Sequence, residues 1–208
     1  MKIFEKLAII FFDYLDKFFH QKRIIKTLKK ELSNLNNFID VGAYKGTYTD
    51  LILDYYKPQK ILMFEPQEEI FNYLKIKYND NKNITLFNKA LSNKDKSAKF
   101  NFNKHNLTSS LSSLDPDNNY LKLKAKLFGT TSEGMIVDIK TIQTTTLFSI
   151  LERENIDSID FLKIDTEGHE LEVLQGMREK INKVKCILVE FHLDEIYINY
   201  NPEFLHQF

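Results

Sequence analysis

A single cysteine, Cys186, in 208 residues leaves no second thiol for an internal disulfide and no thiolate set for a structural zinc site. Net charge is missing too. The 29 Lys and Arg cancel the 29 Asp and Glu, which excludes a general electrostatic grip on DNA or RNA, where a basic excess is the rule. Long apolar runs are absent. Leu7–Phe12 (LAIIFF) is bracketed by Lys6 and Asp13, well short of the ~20 residues of a membrane-spanning helix and of a signal peptide with its small-residue cleavage site. These absences point to a cytoplasmic protein in a reducing compartment.

What is present describes one folded domain with a helical lead-in. A chain 43% hydrophobic and 28% charged is neither disordered nor fibrous. Phe4, Leu7, Phe11, Leu15, Phe18 and Phe19 recur at helical spacing, so residues 2–31 read as one or two amphipathic helices. Lys22, Arg23, Lys26, Lys29 and Lys30 follow. A segment 1–35 of this kind is either a peripheral membrane helix or dimerisation arm, or a helix docked on the domain with a solvated basic end, the more usual fate of an apolar stripe.

From residue 36 to 208 strands and helices alternate. Residues 38–41, 61–64, 84–87, 161–164 and 187–189 are short apolar runs that predict buried strands, and 47–56, 68–78, 147–154 and 169–175 predict helices. The polar stretch 92–135 is too rich in Asn, Ser and Asp for a core element. Alternating segments at 98–102 and 135–142 predict an appended β-hairpin. Continuous apolar strands separated by helices argue for an α/β fold, a doubly wound and mostly parallel sheet. Such sheets bind ligands beyond the carboxyl ends of their strands. Asp40, Glu65, Asp165 and Glu190 each end an apolar run, so all four are expected on that rim.

The loop after the first strand, Asp40-Val-Gly-Ala-Tyr-Lys-Gly46, carries glycines that permit a sharp turn close to a ligand. It lacks the G-x-G-x-x-G of dinucleotide enzymes, which counts against an NAD-dependent oxidoreductase. A carboxylate before the first glycine suits an ammonium group better than a phosphate. Glu65, at the next strand end, is placed to accept hydrogen bonds from ribose hydroxyls. A ribose and a cationic part without phosphate describe S-adenosylmethionine.

The segments FIDVGAYKGTYT (38–49), FEP (64–66), KALS (89–92), SSL (109–111), IDFLKIDTEGHELEVLQGM (159–177) and ILVEFH (187–192) resemble those of FkbM-type S-adenosylmethionine-dependent methyltransferases, in the family's order. The resemblance implies the Rossmann-like class I methyltransferase fold and O-methylation of a sugar, glycan or other small-molecule hydroxyl. It implies that Asp40, Gly42, Ala43 and Gly46 line the methionine side of the cofactor, that Glu65 holds its ribose, that Tyr48, Thr49 and Pro66 also belong to the cofactor site, that Ala90 and Leu91 lie near the adenine, that Ser109 and Ser110 touch cofactor or substrate, and that Asp165 lies near the methionine and the reacting hydroxyl. The chain departs from the family in two places. Tyr44 stands where asparagine is common, and asparagine tolerates a left-handed backbone better, so the loop either turns differently or carries strain. Only 18 residues follow Glu190, so the sheet is completed by the hairpin or ends in an edge strand that something else covers.

A hydroxyl acceptor benefits from a general base, and Asp165, Glu167, His169, Glu190 and His192 are the rim candidates. His169, at a helix start, is expected to have a lowered pKa; the competing reading is a surface cap residue. His192 reads more readily as a satisfied core histidine, and Glu167 also as a first-turn acid answering the helix dipole. Lys163 either stabilises a developing alkoxide or pairs with a neighbouring acid. Ser109 and Ser110 also fit an ordinary loop turn, and Cys186 a small core position. The same five rim groups could hold Mg²⁺ or Mn²⁺, but no tight ligand spacing enforces a metal site. A noncatalytic scaffold or partner subunit that keeps the fold is the rival to an enzyme, and no basic–aromatic platform favours nucleic acid.

Overall fold

A computed structural model describes residues 21–103, 109–127, 129–192, 196–198, 200, 201 and 203. The stripe from Phe4 to Phe19 lies outside the described residues, and with it most of the segment expected to touch a membrane or a second subunit. Its last part is helix α1 (Gln21–Glu31). Ile25 and Leu28, followed by Leu32 and Leu35, are buried against Phe38, Ile61 and Phe161, while Lys26, Lys29 and Lys30 face outward. This part is a docked helix.

Five parallel strands form the central sheet: β1 (Asn37–Val41), β2 (Lys60–Phe64), β3 (Ile84–Phe87), β7 (Ile159–Ile164) and β8 (Val184–Val189), in the order β3-β2-β1-β7-β8. The alternation of side chains along each strand divides the core between two faces. Ile39, Val41, Leu62, Phe64, Leu162 and Ile164 point to one side. There they meet α5 (Leu147–Arg153) and α6 (Glu170–Gln175). Phe38, Ile61, Met63 and Phe161 point to the other, toward α1, α2 (Thr47–Tyr55) and α3 (Glu68–Lys77). Phe38 and Phe161 stack across β1 and β7 with centroids 5.2 Å apart, a contact that contributes about 0.5–1.5 kcal/mol beyond simple burial. The α/β, doubly wound sheet expected from the apolar runs is therefore present, and strand order reverses at β1. The crevice between the ends of β1 and β7 is the place where such a sheet accommodates a ligand.

The expected hairpin also forms, with longer arms: β5 (Lys96–Asn103) pairs antiparallel with β6 (Ile136–Thr145). The short β4 (Ala90–Leu91) joins β6 in parallel, making a separate three-stranded sheet in the order β4-β6-β5. The hairpin thus does not complete the central sheet. Among the described residues β8 is its edge, as the second of the two expected endings had it.

One expectation is overturned. The polar stretch 92–135 does hold a core element, helix α4 (Asn119–Leu127). Its backbone at Leu121 donates to Asn118 Oδ1 at 2.9 Å, a side-chain cap. Leu121 and Ala125, one helical turn apart, are buried with Leu114, Met135, Ile196 and Tyr197. Four lysine and tyrosine neighbours (Tyr120, Lys122, Lys124 and Lys126) hide so narrow an apolar face from a composition argument.

Candidate functional site

The site is assembled on the carboxyl ends of β1, β2, β7 and β8. Beyond Val41 the chain folds against the neighbouring strand, with the Gly42 and Ala43 N–H groups donating to Phe64 O at 3.1 and 3.0 Å. Gly42 has φ +72°, and a Cβ there would lie 1.8 Å from Asp165 O. The β1 loop and the end of β7 touch here through bare backbone, and only glycine permits it.

Tyr44 adopts φ 43°, so the loop keeps its left-handed turn and carries the strain that asparagine would relieve. The compensation is specific. Tyr44 N–H donates to Glu65 Oε2 at 3.0 Å, and Gln67 N–H donates to Glu65 Oε1 at 2.8 Å. Glu65 is nearly inaccessible, and burial raises its carboxyl to about 7 against the opposing pull of those two N–H donors and of Lys163. Asn88 Nδ2 donates to the Glu65 and Pro66 carbonyls at 2.9 and 3.1 Å, tying in the end of β3. Gly46 is pinned by Tyr78, whose hydroxyl donates to Gly46 O at 3.0 Å or Asp50 Oδ1 at 2.7 Å.

Asp40 points down from the rim into the fold. It is fully buried and accepts from Thr49 Oγ1 at 2.8 Å. Its Oδ1 lies 3.2 Å from Lys163 Nζ, which is also 3.3 Å from Asp165 Oδ2, donates to Gly42 O at 2.7 Å and sits over the Tyr48 ring. Burial pulls the Lys163 amine down, but the Asp165 and Asp40 charges outweigh it and hold the amine above its ordinary value. Lys163 therefore ties β1 to β7, in the pairing arrangement rather than as an exposed cation.

The second group of acids lies on the other side of that amine. Asp165 N–H donates to Val41 O and Glu190 N–H to Ile164 O, both at 3.1 Å, so the sheet's ladder runs one residue past the strands and sets the two carboxyls side by side. Glu167, at φ 57° before Gly168 at φ 89°, turns back over them. Carboxylate oxygens of Asp165, Glu167 and Glu190 all lie within 4.8 Å of one another. Burial works against ionisation at each, yet Lys163 wins at Asp165 and keeps it below the usual carboxylate range. Glu190 lies beside Asp165; desolvation, their mutual hydrogen bond and like charge push it well above that range, although its outer edge is open to solvent. Glu167 is raised to about 7 by burial and by the Asp165 charge, opposed by the hydroxyl of Tyr197, which donates to it. An oxygen-only set of this geometry could hold Mg²⁺ or Mn²⁺.

The structure thus brings together three of the five expected rim bases. His192 sits behind them, its Nε2 at 3.8 Å from Glu190 Oε2 and 3.9 Å from Glu170 Oε1, with its ring edge-on to Tyr197 and Tyr200. His169 is turned the other way, Nε2 3.0 Å from Ser92 Oγ and Nδ1 3.5 Å from Glu172 Oε2. Its pKa is lowered as expected, but burial is the leading cause. It is a mostly buried residue rather than a surface cap. Ala90 and Leu91 are buried in β4, with Leu91 in the core below the rim. Ser110 Oγ donates to Thr166 O at 2.9 Å and, just beyond the SSL segment, Ser112 Oγ donates to Gly168 O at 2.6 Å, so residues 110–112 buttress the 165–168 turn; Ser109 Oγ accepts from Asn103 N–H at 3.0 Å.

Tyr197 and Glu170 carry no signal that sequence reasoning could use. Glu170 is fully buried and accepts from the Thr166 and Gly168 N–H groups at 2.9 and 3.2 Å, organising the turn that aims Glu167. Tyr197 packs its ring where a Gly168 side chain would be. A glutamate in the first turn of a helix ordinarily answers the helix dipole, and only the path of the turn reveals the other role.

Among known proteins, the Methyltransferase FkbM domain matches residues 40–208. A hexuronic acid methyltransferase, AglP of Haloferax volcanii, is 38% identical over 52 residues, covering 25% of this chain and 22% of that protein. The crystal structure of methyltransferase FkbM from Methylobacillus flagellatus KT aligns with a TM-score of 0.48 at 18% identity, over 75% of this chain and 32% of that one. The chain spans less than a third of the length of either relative.

Proposed function

Since the chain belongs to the methyltransferase FkbM domain family, we propose that it transfers a methyl group from S-adenosylmethionine to a hydroxyl of a sugar or glycan. The observation that carries this reading is the meeting of the Gly42 loop, held by Glu65, with the Asp165–Glu167–Glu190 group across the β1–β7 crevice. The donor set fits the cofactor. A carboxylate offers about four lone-pair sites, and Glu65 uses one on each oxygen for the loop, leaving acceptors for ribose hydroxyls. The partly exposed carboxylate of Asp165 suits an ammonium group or a sulfonium. The match of one segment to a hexuronic acid methyltransferase supports a sugar acceptor.

When bound, the cofactor supplies an electrophilic methyl carbon on a positively charged sulfur. The chain's own part is to hold donor and hydroxyl in line and to receive the proton the hydroxyl loses. Glu167 is the base best matched to neutral pH, because its carboxyl titrates near 7 and the efficiency of a base peaks when its pKa lies near the working pH. Asp165, kept ionised by Lys163, is a weaker base and a better counter-charge. Glu190, kept protonated by Asp165, can donate a hydrogen bond.

The test is a calorimetric titration with S-adenosylhomocysteine on the full chain and on Glu65→Ala. A wild-type Kd near 1 μM, about −8 kcal/mol, weakened at least ~100-fold in the variant, is the expected result. Absence of binding by folded wild type would overturn the reading in favour of a noncatalytic scaffold.

A further inference from the structure

Helix α1 sets five basic residues, Lys22, Arg23, Lys26, Lys29 and Lys30, against one acid, Glu31. All five are exposed. We infer that this outward face is a docking surface for an anionic lipid bilayer, which holds the domain at the membrane by charge and leaves the rim free. The inference does not depend on the methyltransferase reading.

Charge is the first argument. The whole chain is neutral, so the basic excess on α1 is balanced by an acidic excess over the rest of the molecule. A chain of this kind has no general attraction for polyanions, but an anionic surface draws it in with the basic side forward. The face keeps its charge. Lys30 lies 3.7 Å from Glu31, but both side chains are exposed, and a pair of that kind contributes little. Lys29 lies 4.2 Å from the Tyr55 ring centroid, a contact that orients its amine without cancelling the charge.

Geometry is the second. Ile25 and Leu28 are buried against the domain, so α1 cannot turn its apolar side to lipid and meets a bilayer through its charged face. Long lysine stems carry that charge outward from a docked helix. The rim is built from the carboxyl ends of the strands, and no residue of α1 belongs to it. The sequence before the helix is the third. Residues 1–20 lead into Gln21, and Phe4, Leu7, Phe11, Leu15, Phe18 and Phe19 recur there at helical spacing. An aromatic-rich apolar stripe joined to a basic helix suits a bilayer interface, the stripe through its apolar area and the helix through attraction to anionic headgroups. The same pairing favours lipid over nucleic acid. A duplex offers nothing to the stripe, and four of the five cations are lysines, point charges rather than the forked guanidinium favoured in nucleic-acid recognition.

The experiment is co-sedimentation of the full chain with vesicles of phosphatidylcholine alone or with about 30% phosphatidylglycerol. Partition into the anionic vesicles is expected to exceed that into the neutral ones at least ~10-fold. It should fall at least ~10-fold as NaCl rises from about 0.1 to about 0.5 M, because salt screens exposed charges. The triple variant Arg23→Gln, Lys26→Gln, Lys30→Gln spares Lys29 on its tyrosine. It is expected to lose at least ~10-fold of the anionic partition, since each basic residue near such a surface contributes about a fivefold gain. Its S-adenosylhomocysteine affinity should stay within about twofold of wild type. Equal partition into both vesicles, partition into neither, or anionic partition that survives in the folded triple variant overturns the proposal. A random-sequence DNA duplex bound at the protein concentration that half-saturates the vesicles overturns it in favour of nucleic acid. The lipid and salt comparisons use wild type, so they decide the matter if the triple variant does not fold. Failure of S-adenosylhomocysteine to bind wild type, with the vesicle results as expected, overturns the methyltransferase reading and leaves the membrane surface standing.

Discussion

The two halves of the rim treat their acids in opposite ways. On the β1–β2 side each carboxylate is answered by fixed partners: Asp40 by Thr49 and Lys163, Glu65 by the Tyr44 and Gln67 N–H groups. On the β7–β8 side Asp165, Glu167 and Glu190 face one another, and the one lysine between the halves reaches only Asp165 of the three at ion-pair distance. Acids answered by fixed partners make a rigid surface suited to binding. Crowded acids are forced to share protons or to accept a cation, and perturbed groups of this kind in a cleft are candidates for chemistry. On the proposed reading the first half holds the cofactor and the second carries the chemistry.

Gly42 joins the halves, and breaking it should break both. Gly42→Ala adds a Cβ 1.8 Å from Asp165 O at a left-handed φ, so a loss of about 3–5 kcal/mol is expected, read as a fall in the denaturation midpoint together with loss of cofactor binding. The remaining changes should separate the halves. Glu167→Gln removes the proposed base and is expected to lower kcat about 10²–10⁴-fold with S-adenosylhomocysteine affinity intact. Glu65→Ala should do the reverse, abolishing binding in the titration described above. If both variants lose binding to the same degree, the division between holding and reacting is wrong.

The pH dependence sharpens the same contrast. Glu65 and Glu167 are both raised from 4.5 to about 7 in the folded chain, so the folded state binds more protons than the unfolded state between those values and stability must fall as pH rises through that window. A melting temperature roughly 5 °C lower at pH 8 than at pH 5.5 is expected, with a smaller difference in Glu167→Gln. Turnover should move the opposite way, rising through pH 7 as Glu167 ionises, and Glu167→Gln should remove that limb. The smallest effect is Tyr44→Asn. Relieving a left-handed tyrosine at φ 43° should stabilise the fold by about 0.5–1 kcal/mol, measured by chemical denaturation, with cofactor affinity nearly unchanged because the N–H donor to Glu65 remains.

Some of this was legible in the chain itself. Apolar runs at 38–41, 61–64 and 161–164 are buried strands, because burial on both faces of a parallel sheet leaves a continuous pattern that needs no knowledge of neighbours. The glycine loop and the hairpin were legible for the same local reason. Helix α4 was not, since its buried face is, among the described side chains, only Leu121 and Ala125 among lysines.

The sequence by itself determined the kind of sheet, the acids that end its strands and the loop that turns beside them, since strand period and glycine freedom are properties of a few consecutive residues. The tertiary structure decided which acids meet. Lys163 joins Asp40 to Asp165 because β1 and β7 are neighbours in the sheet, and Tyr197 reaches Glu167 from thirty residues away. Raised and lowered carboxyls follow from those meetings, because the cost of a buried charge depends on what surrounds it in space and not on what precedes it in the chain.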